Sequence, residues 1–334
     1  MICKEMFFRE ESNILFSSLF ILLEDIFMKY WNGRRYYSLD CYLKETFGQK
    51  LYKLSLSGGM TCPNRDGKLS TQGCIFCSEG GSGDFAAPCT DISIQIEYAK
   101  TLVKDKFQGD KYIAYFQSYT NTYADTAYLE RLFMPVIRRD DIAVLSIATR
   151  PDCLEADKIR LISEMAKIKP VWIELGLQTV HEKTADLINR GYKLECYDSA
   201  VRRLKNIGVN VITHIILGLP DESREEMLET AEYVGRVTDG IKIQLLHVLK
   251  NTKLAELYES GYFRTLEQDE YISLVGDVIS ILPENVVIHR LTGDGDKSIL
   301  ISPLWSCDKR RVLNLINHEL KARNIFQGQK NRLM

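Results

Sequence analysis

Val171-Trp172-Ile173-Glu174-Leu175-Gly176-Leu177-Gln178 is an eight-residue run that is apolar almost throughout. A half-exposed strand alternates polar and apolar residues. A run this continuous marks a strand buried on both faces, as in a parallel sheet. The signature recurs at 51–57, 112–117, 142–149, 209–217 and 241–249. Between these runs lie amphipathic stretches. Asp91 is placed to cap a helix over 91–107 with Ile94, Tyr98, Leu102 and Val103 along one face. Further helices are predicted near 125–138, 155–168, 195–207 and 222–237, with Gly208 as a stop after the fourth. Strand–helix repeats joined by right-handed crossovers predict an α/β fold, a partial (β/α)6 TIM-like barrel with N- and C-terminal additions. An open doubly wound sheet is the other arrangement compatible with the pattern. From 267 onward come a helix, a strand near 286–291 and a last helix near 308–323. The expected division is an N-terminal extension over 1–27, a barrel core over 28–250 and a C-terminal extension over 251–334 that takes part in substrate binding.

The chain has 334 residues, 45% hydrophobic and 26% charged, with a net charge of −2, so nothing global marks it as a nucleic-acid binder. Its nine cysteines are odd in number, and only three of them cluster, at 62, 74 and 77. That distribution reads as a reduced, cytoplasmic setting with a local metal site. Residues 14–28 are rich in Leu, Ile and Phe but interrupted by Glu24 and Asp25, too short for the roughly 18–20 apolar residues of a membrane span. Glu5, Glu10 and Glu11 argue against a signal peptide. The segment reads as an amphipathic extension, or as residues upstream of a natural start at Met28.

Directly after the first strand run comes a glycine-rich loop, Thr61-Cys62-Pro63-Asn64-Arg65-Asp66-Gly67, which leads to Gly73-Cys74-Ile75-Phe76-Cys77. In β/α barrels the chemistry sits at the C-terminal strand ends, where this loop falls. Three thiolates can fill three corners of an iron–sulfur cubane and leave one iron open. Two other readings fit the same spacing: structural zinc with Cys89 as fourth ligand, or unligated cysteines packed as small hydrophobes.

The cysteine loop and repeat, with Tyr119-Thr120-Asn121-Thr122-Tyr123, Thr149-Arg150-Pro151-Asp152, Glu174-Leu175-Gly176-Leu177-Gln178 and Gly218-Leu219-Pro220, resemble the radical S-adenosylmethionine (SAM) superfamily. The likeness is to the branch near the catalytic subunit of Elongator, and within it to the bacterial YtqA/YhcC-type family, over about residues 28–328. Many radical SAM proteins separate their first two cysteines by only three residues; the longer gap here suits the Elongator-like branch. The resemblance implies a [4Fe–4S] cluster on Cys62, Cys74 and Cys77, with Cys89 not closing the site. It also implies SAM chelated to the open iron and cleaved reductively to a 5′-deoxyadenosyl radical, with a reductant such as flavodoxin or ferredoxin supplying the electron.

The same resemblance implies SAM contacts from the loop after the second strand (Ser118, Tyr119, Thr120, Asn121) and from Arg150, Glu174, Gln178 and Gly218. Where many relatives have Gly-Gly-Glu, this chain offers hydroxyl, amide and backbone groups. Period-two alternation puts Glu174 and Gln178 on one face, and the buried carboxylate is expected to pair with Arg150 or with SAM's ammonium. His214 and His247 read as core or hydrogen-bonding residues. A tRNA substrate is implied by the Elongator-like branch, and the YtqA-type family points to conversion of 5-carboxymethylaminomethyl-uridine to 5-aminomethyl-uridine. Residues 308–334 add seven Lys or Arg against Asp308 and Glu319, and Arg34-Arg35-Tyr36-Tyr37 forms a second basic–aromatic patch. A radical enzyme acting on a small molecule or protein, and a non-catalytic zinc-binding interaction protein, are the competing readings.

Overall fold

The computed structural model describes residues 31–78, 80–81, 91–107, 109–293, 295 and 297–331. Seven strands form one parallel sheet: β1 (Tyr52–Leu56), β2 (Tyr112–Phe116), β3 (Ile142–Thr149), β4 (Val171–Gln178), β5 (Asn210–Leu217), β6 (Gly240–Leu245) and β8 (Val287–Arg290). Each pairs with the next in that order. The order never reverses, as a doubly wound sheet requires, so the sheet is a partial barrel. The 241–249 run is not one strand: Val248–Leu249 (β7) leaves the barrel and pairs antiparallel with Leu300–Ser302 (β9).

Outward-facing Leu54, Phe116, Ile147, Leu175, Ile215 and Ile243 pack beneath the helices in the main core. Burial of each such side chain contributes about 1.5–3 kcal/mol, so this layer carries most of the stability. The helices over it include α2 (Ile92–Val103), α3 (Thr126–Ile137), α4 (Ala156–Ala166), α6 (Leu194–Asn206), α7 (Arg224–Val237) and α9 (Gln268–Ile281). Inward, Leu51, Ile113, Val144, Trp172 and Ile212 form an apolar floor, covered from below by Leu43 of α1 (Leu39–Phe47). Short helices α5 (Glu182–Leu187) and α8 (Lys253–Glu259) lie in loops that the periodicity gives no reason to expect, and α10 (Lys309–Ala322) closes the chain.

Helix α2 starts where the sequence puts it, with the Asp91 carboxylate accepting from Ser93 N at 2.9 Å. Its buried face is another one. Ile94, Tyr98 and Leu102 are exposed, and Gln95, Ile96 and Ala99 are buried. The Gln95 amide decides the rotation: it accepts from Ser57 N at 2.9 Å and donates to Ser57 O at 3.0 Å, anchoring the helix where β1 ends. Helix α7 has a full capping box, with Ser223 and Glu226 satisfying each other's backbone N–H. Ser223→Ala is expected to cost about 1 kcal/mol in urea unfolding, with no loss of secondary structure. No helix of the described residues is long and apolar enough to cross a membrane.

Candidate active site

The cysteine loop is held from several sides. Asn64 donates to Asn189 O at 2.6 Å and to Cys74 Sγ at 3.6 Å, while Asn189 donates to Gly73 O at 2.6 Å. Arg65 donates to the carbonyls of Cys77 and Ser78. Ile75 joins the loop to α5 through Ile188 O and to α8 through the Leu254 N–H. Gly191 has to be glycine: φ is +80°, and a Cβ there would stand 3.2 Å from Asn64 Oδ1. The loop is thereby fixed over the upper end of the barrel.

Cys62, Cys74 and Cys77 line one wall of a cavity of about 410 Å3, which also takes in Tyr119, Thr120, Arg150, Glu174 and Gln178. Eight of the eleven residues singled out from sequence therefore meet in one place. Ser118, Asn121 and Gly218 do not line it. Asn121 is fully buried and bridges Phe116 O and Ala148 O, tying the ends of β2 and β3 together. Gly218 takes φ +89° at the end of β5 and faces Leu266. Cys89 and residues 1–27 lie outside the described residues.

A hydrogen bond with Cys77 lowers Cys74 to about 7, against the effect of burial and with help from Arg150, Asn64 and Arg65. The same bond, together with burial, pushes Cys77 up. Among the described residues no three His, Cys, Asp or Glu converge on one metal-ion position. A cubane makes no such demand, because each thiolate takes a different iron. Opposite the thiols, Gln178 has a left-handed φ of +72° and a buried Oε1 without a hydrogen-bond partner. Tyr119 is likewise left-handed, at φ +55°. Such conformations cost free energy and cluster at ligand sites. Three thiols on a pinned loop, an orphaned amide oxygen and a polar wall fit a cluster with a chelating, zwitterionic cosubstrate.

The expected pairing of Arg150 with Glu174 does not form. Arg150 grips Asp152 bidentately, at 2.9 and 2.8 Å, and donates to Arg190 O at 3.0 Å. Strand geometry explains this: Arg150 follows the last residue of β3, whereas Glu174 lies midway along β4. Tyr192 is wedged between Arg150 and Arg190, whose guanidinium carbons lie 5.0 and 4.8 Å from its ring. Glu174 is 1% exposed and finds partners at its own height in the barrel. Lys53 lies at 3.0 Å, Ser146 at 2.8 Å and His214 at 2.8 Å, and Lys242 completes the set. Burial opposes ionisation, yet Lys242, Lys53 and His214 together hold the carboxyl well below its usual range. Burial and Lys242 lower His214 to about 4, so it stays neutral and donates to Glu174 from Nε2.

The sequence reading missed Lys53, Lys242, Arg190 and Tyr192. Lys53 and Lys242 are the inward positions of their strands, two residues from Ser55 and Gln244, and alternation could have exposed them. Arg190 and Tyr192 sit in a loop whose packing no local pattern reveals.

A partial β/α barrel with a three-thiol loop after its first strand defines an iron–sulfur enzyme class, and the chain belongs to it: the radical SAM superfamily. The superfamily model matches residues 67–234, and the Radical_SAM C-terminal domain matches residues 238–322. Within it the chain is similar to YtqA of Bacillus subtilis (strain 168), with 47% identity over 298 residues, 89% of this chain and 92% of that protein. A more distant relative is the tRNA uridine(34) acetyltransferase of Methanocaldococcus infernus, 28% identical over 165 residues, 47% of this chain and 30% of that one. In fold it resembles the archaeal Methanocaldococcus infernus Elp3, with a TM-score of 0.61 at 17% identity, covering 83% of this chain and 64% of that chain.

Proposed function

We propose that this radical SAM enzyme acts on the side chain of a tRNA wobble uridine, converting 5-carboxymethylaminomethyl-uridine to 5-aminomethyl-uridine. Cys62, Cys74 and Cys77 would hold a [4Fe–4S] cluster, and Tyr119, Thr120, Arg150 and Gln178 would receive SAM beside it. Together these groups would supply 5′-deoxyadenosyl radical chemistry for taking hydrogen from the uridine's side-chain arm. With one further electron given up to an acceptor and hydrolysis by water, the two carboxymethyl carbons would leave as glyoxylate and the amine would remain. The chain's own residues orient and enclose. The Asn64–Asn189 and Arg65 contacts fix the thiols. The Asp152–Arg150–Tyr192–Arg190 stack makes a rigid wall, and the Trp172 floor keeps water out from below.

The observation that carries the reading is the thiol loop facing a cavity lined by charged, amide and hydroxyl side chains in a chain 28% identical to a tRNA uridine(34) acetyltransferase over about half its length. The start of α10 supports an RNA partner: Arg310 and Arg311, with Asn314 and His318, outnumber Asp308 around a shallow surface depression. The Arg34–Tyr37 patch contributes less, because Arg35 is committed to Asn324 at 2.7 Å and Tyr36 is buried. A flavodoxin or ferredoxin is the proposed reductant. In a strain lacking the gene, tRNA nucleosides should show 5-carboxymethylaminomethyl-uridine accumulating and its aminomethyl product lost. Unchanged wobble nucleosides would remove the tRNA reading and leave the radical SAM class standing.

A further inference from the structure

We infer that the polar tier midway down the barrel is a seat for a carboxylate on the substrate, with Lys242 as its counter-charge. The inference rests on the proposed function in taking that carboxylate to belong to a uridine side chain.

Above the apolar floor, the inward positions of the first six strands are Lys53, Tyr115, Ser146, Glu174, His214 and Lys242. Two amines, with Arg290 of β8 in register beside Lys242, therefore share one carboxylate in this tier, since His214 is neutral. Glu174 is saturated: Oε1 accepts from Lys53 and Ser146, and Oε2 from His214 and Lys242. The Tyr115 ring carries both amines, Lys53 at 4.6 Å and Lys242 at 4.4 Å from its centroid, and its hydroxyl accepts from Lys242 at 2.9 Å. One ring and one carboxylate thus serve two cations.

The two amines differ in what supports them. Lys53 keeps 23% of its side chain exposed, whereas Lys242 keeps 4%. Lys242 nonetheless lines the cavity, beside Gln244 and Ser55. Burial pushes Lys242 well down in spite of Glu174, with Lys53 and Arg290 adding to the effect. With one carboxylate shared between two amines, Lys242 is driven toward its neutral form, and an anion beside it would favour the ammonium. An anionic ligand group in the cavity would supply that anion.

Depth and geometry favour a carboxylate over a backbone phosphate. Glu174 lies four residues below Gln178 along β4, roughly 13 Å at strand rise. An RNA backbone, continuous on both sides of each phosphate, does not reach that far into a cavity of about 410 Å3. A carboxylate ending a flexible arm does. At this depth Lys242 offers a compact point charge with Arg290 beside it in register, so it is depth, and not the type of cation, that argues against a backbone phosphate.

The test compares two anticodon stem–loop RNAs, one carrying 5-carboxymethylaminomethyl-uridine and one carrying 5-methylaminomethyl-uridine, which lacks the carboxylate. The wild-type protein with its cofactors should bind the first about 30-fold or more tightly than the second. Lys242→Met should bind both alike, and Lys242→Arg should recover part of the preference. A parallel titration uses sarcosine, the carboxylate arm alone, against dimethylamine, following the Lys242 signal in protein labelled with 13C-lysine. If neither RNA is preferred but sarcosine alone moves Lys242, the carboxylate seat stands and the wobble-uridine reading falls. The seat is overturned if Lys242→Met, folded like the wild type, keeps the RNA preference. It is equally overturned if no RNA preference exists and sarcosine leaves the Lys242 signal in place.

Discussion

Serine in place of any one of Cys62, Cys74 or Cys77 is expected to bring 5′-deoxyadenosine formation to background after anaerobic reconstitution. Wild-type protein should carry about four iron per chain. Each single variant should lose most of it, because serine is a poor substitute for thiolate and the loop offers no spare sulfur among the described residues that line the cavity. Cys89→Ser serves as the contrasting variant and should retain both iron and SAM cleavage. Metal analysis decides the matter independently of activity. About one zinc and no iron per wild-type chain would defeat the cluster assignment, as would a Cys74→Ser protein that keeps full iron.

Removal of the Glu174 charge should have the largest effect on stability. Glu174→Gln leaves two buried or half-buried ammonium groups without their shared anion, a defect of about 3–5 kcal/mol. Chemical unfolding of the cofactor-free protein measures it. Adding Lys242→Met to Glu174→Gln removes the worst-placed orphan, so the double variant should be more stable than the single one. A single-variant cost near zero, or no recovery in the double variant, would show that the tier does not work as one unit. The pH dependence has a definite sign. Because the folded-state value of Glu174 lies below its unfolded value near 4.3, its contribution is complete above about pH 5. It is lost as pH falls through the folded-state value, and Glu174→Gln should lack this part of the acid transition.

The barrel was legible because its strands are buried on both sides, which leaves long apolar runs that no helix period explains. The same property hid the tier. A single lysine in Gly240-Ile241-Lys242-Ile243-Gln244-Leu245 reads as an interruption, although it is the inward alternate of a barrel strand. Glu174 was conspicuous, but its partners come from β1, β3, β5 and β6, and no local spacing links them. Helix α2 was misjudged for a related reason. A polar Gln95 faces inward to hydrogen-bond the backbone of Ser57, and hydrophobicity cannot foresee an amide used as an anchor. In the Tyr119–Tyr123 motif, Thr120 and Asn121 are both buried, yet Thr120 lines the cavity while Asn121 braces two strand ends.

The floor made by Trp172, Leu51, Ile113, Val144 and Ile212, backed by Leu43, has a consequence for the order of events in turnover. With the lower end stoppered, the routes left to the tier are the upper mouth and the side between β1 and β8, which do not pair. A substrate arm seated at the depth of Lys242 lies behind anything bound at the level of Gln178. On the proposed assignment, an arm that came in by the mouth would withdraw only after spent cosubstrate at the rim has cleared it, which would make traffic through that mouth last in, first out.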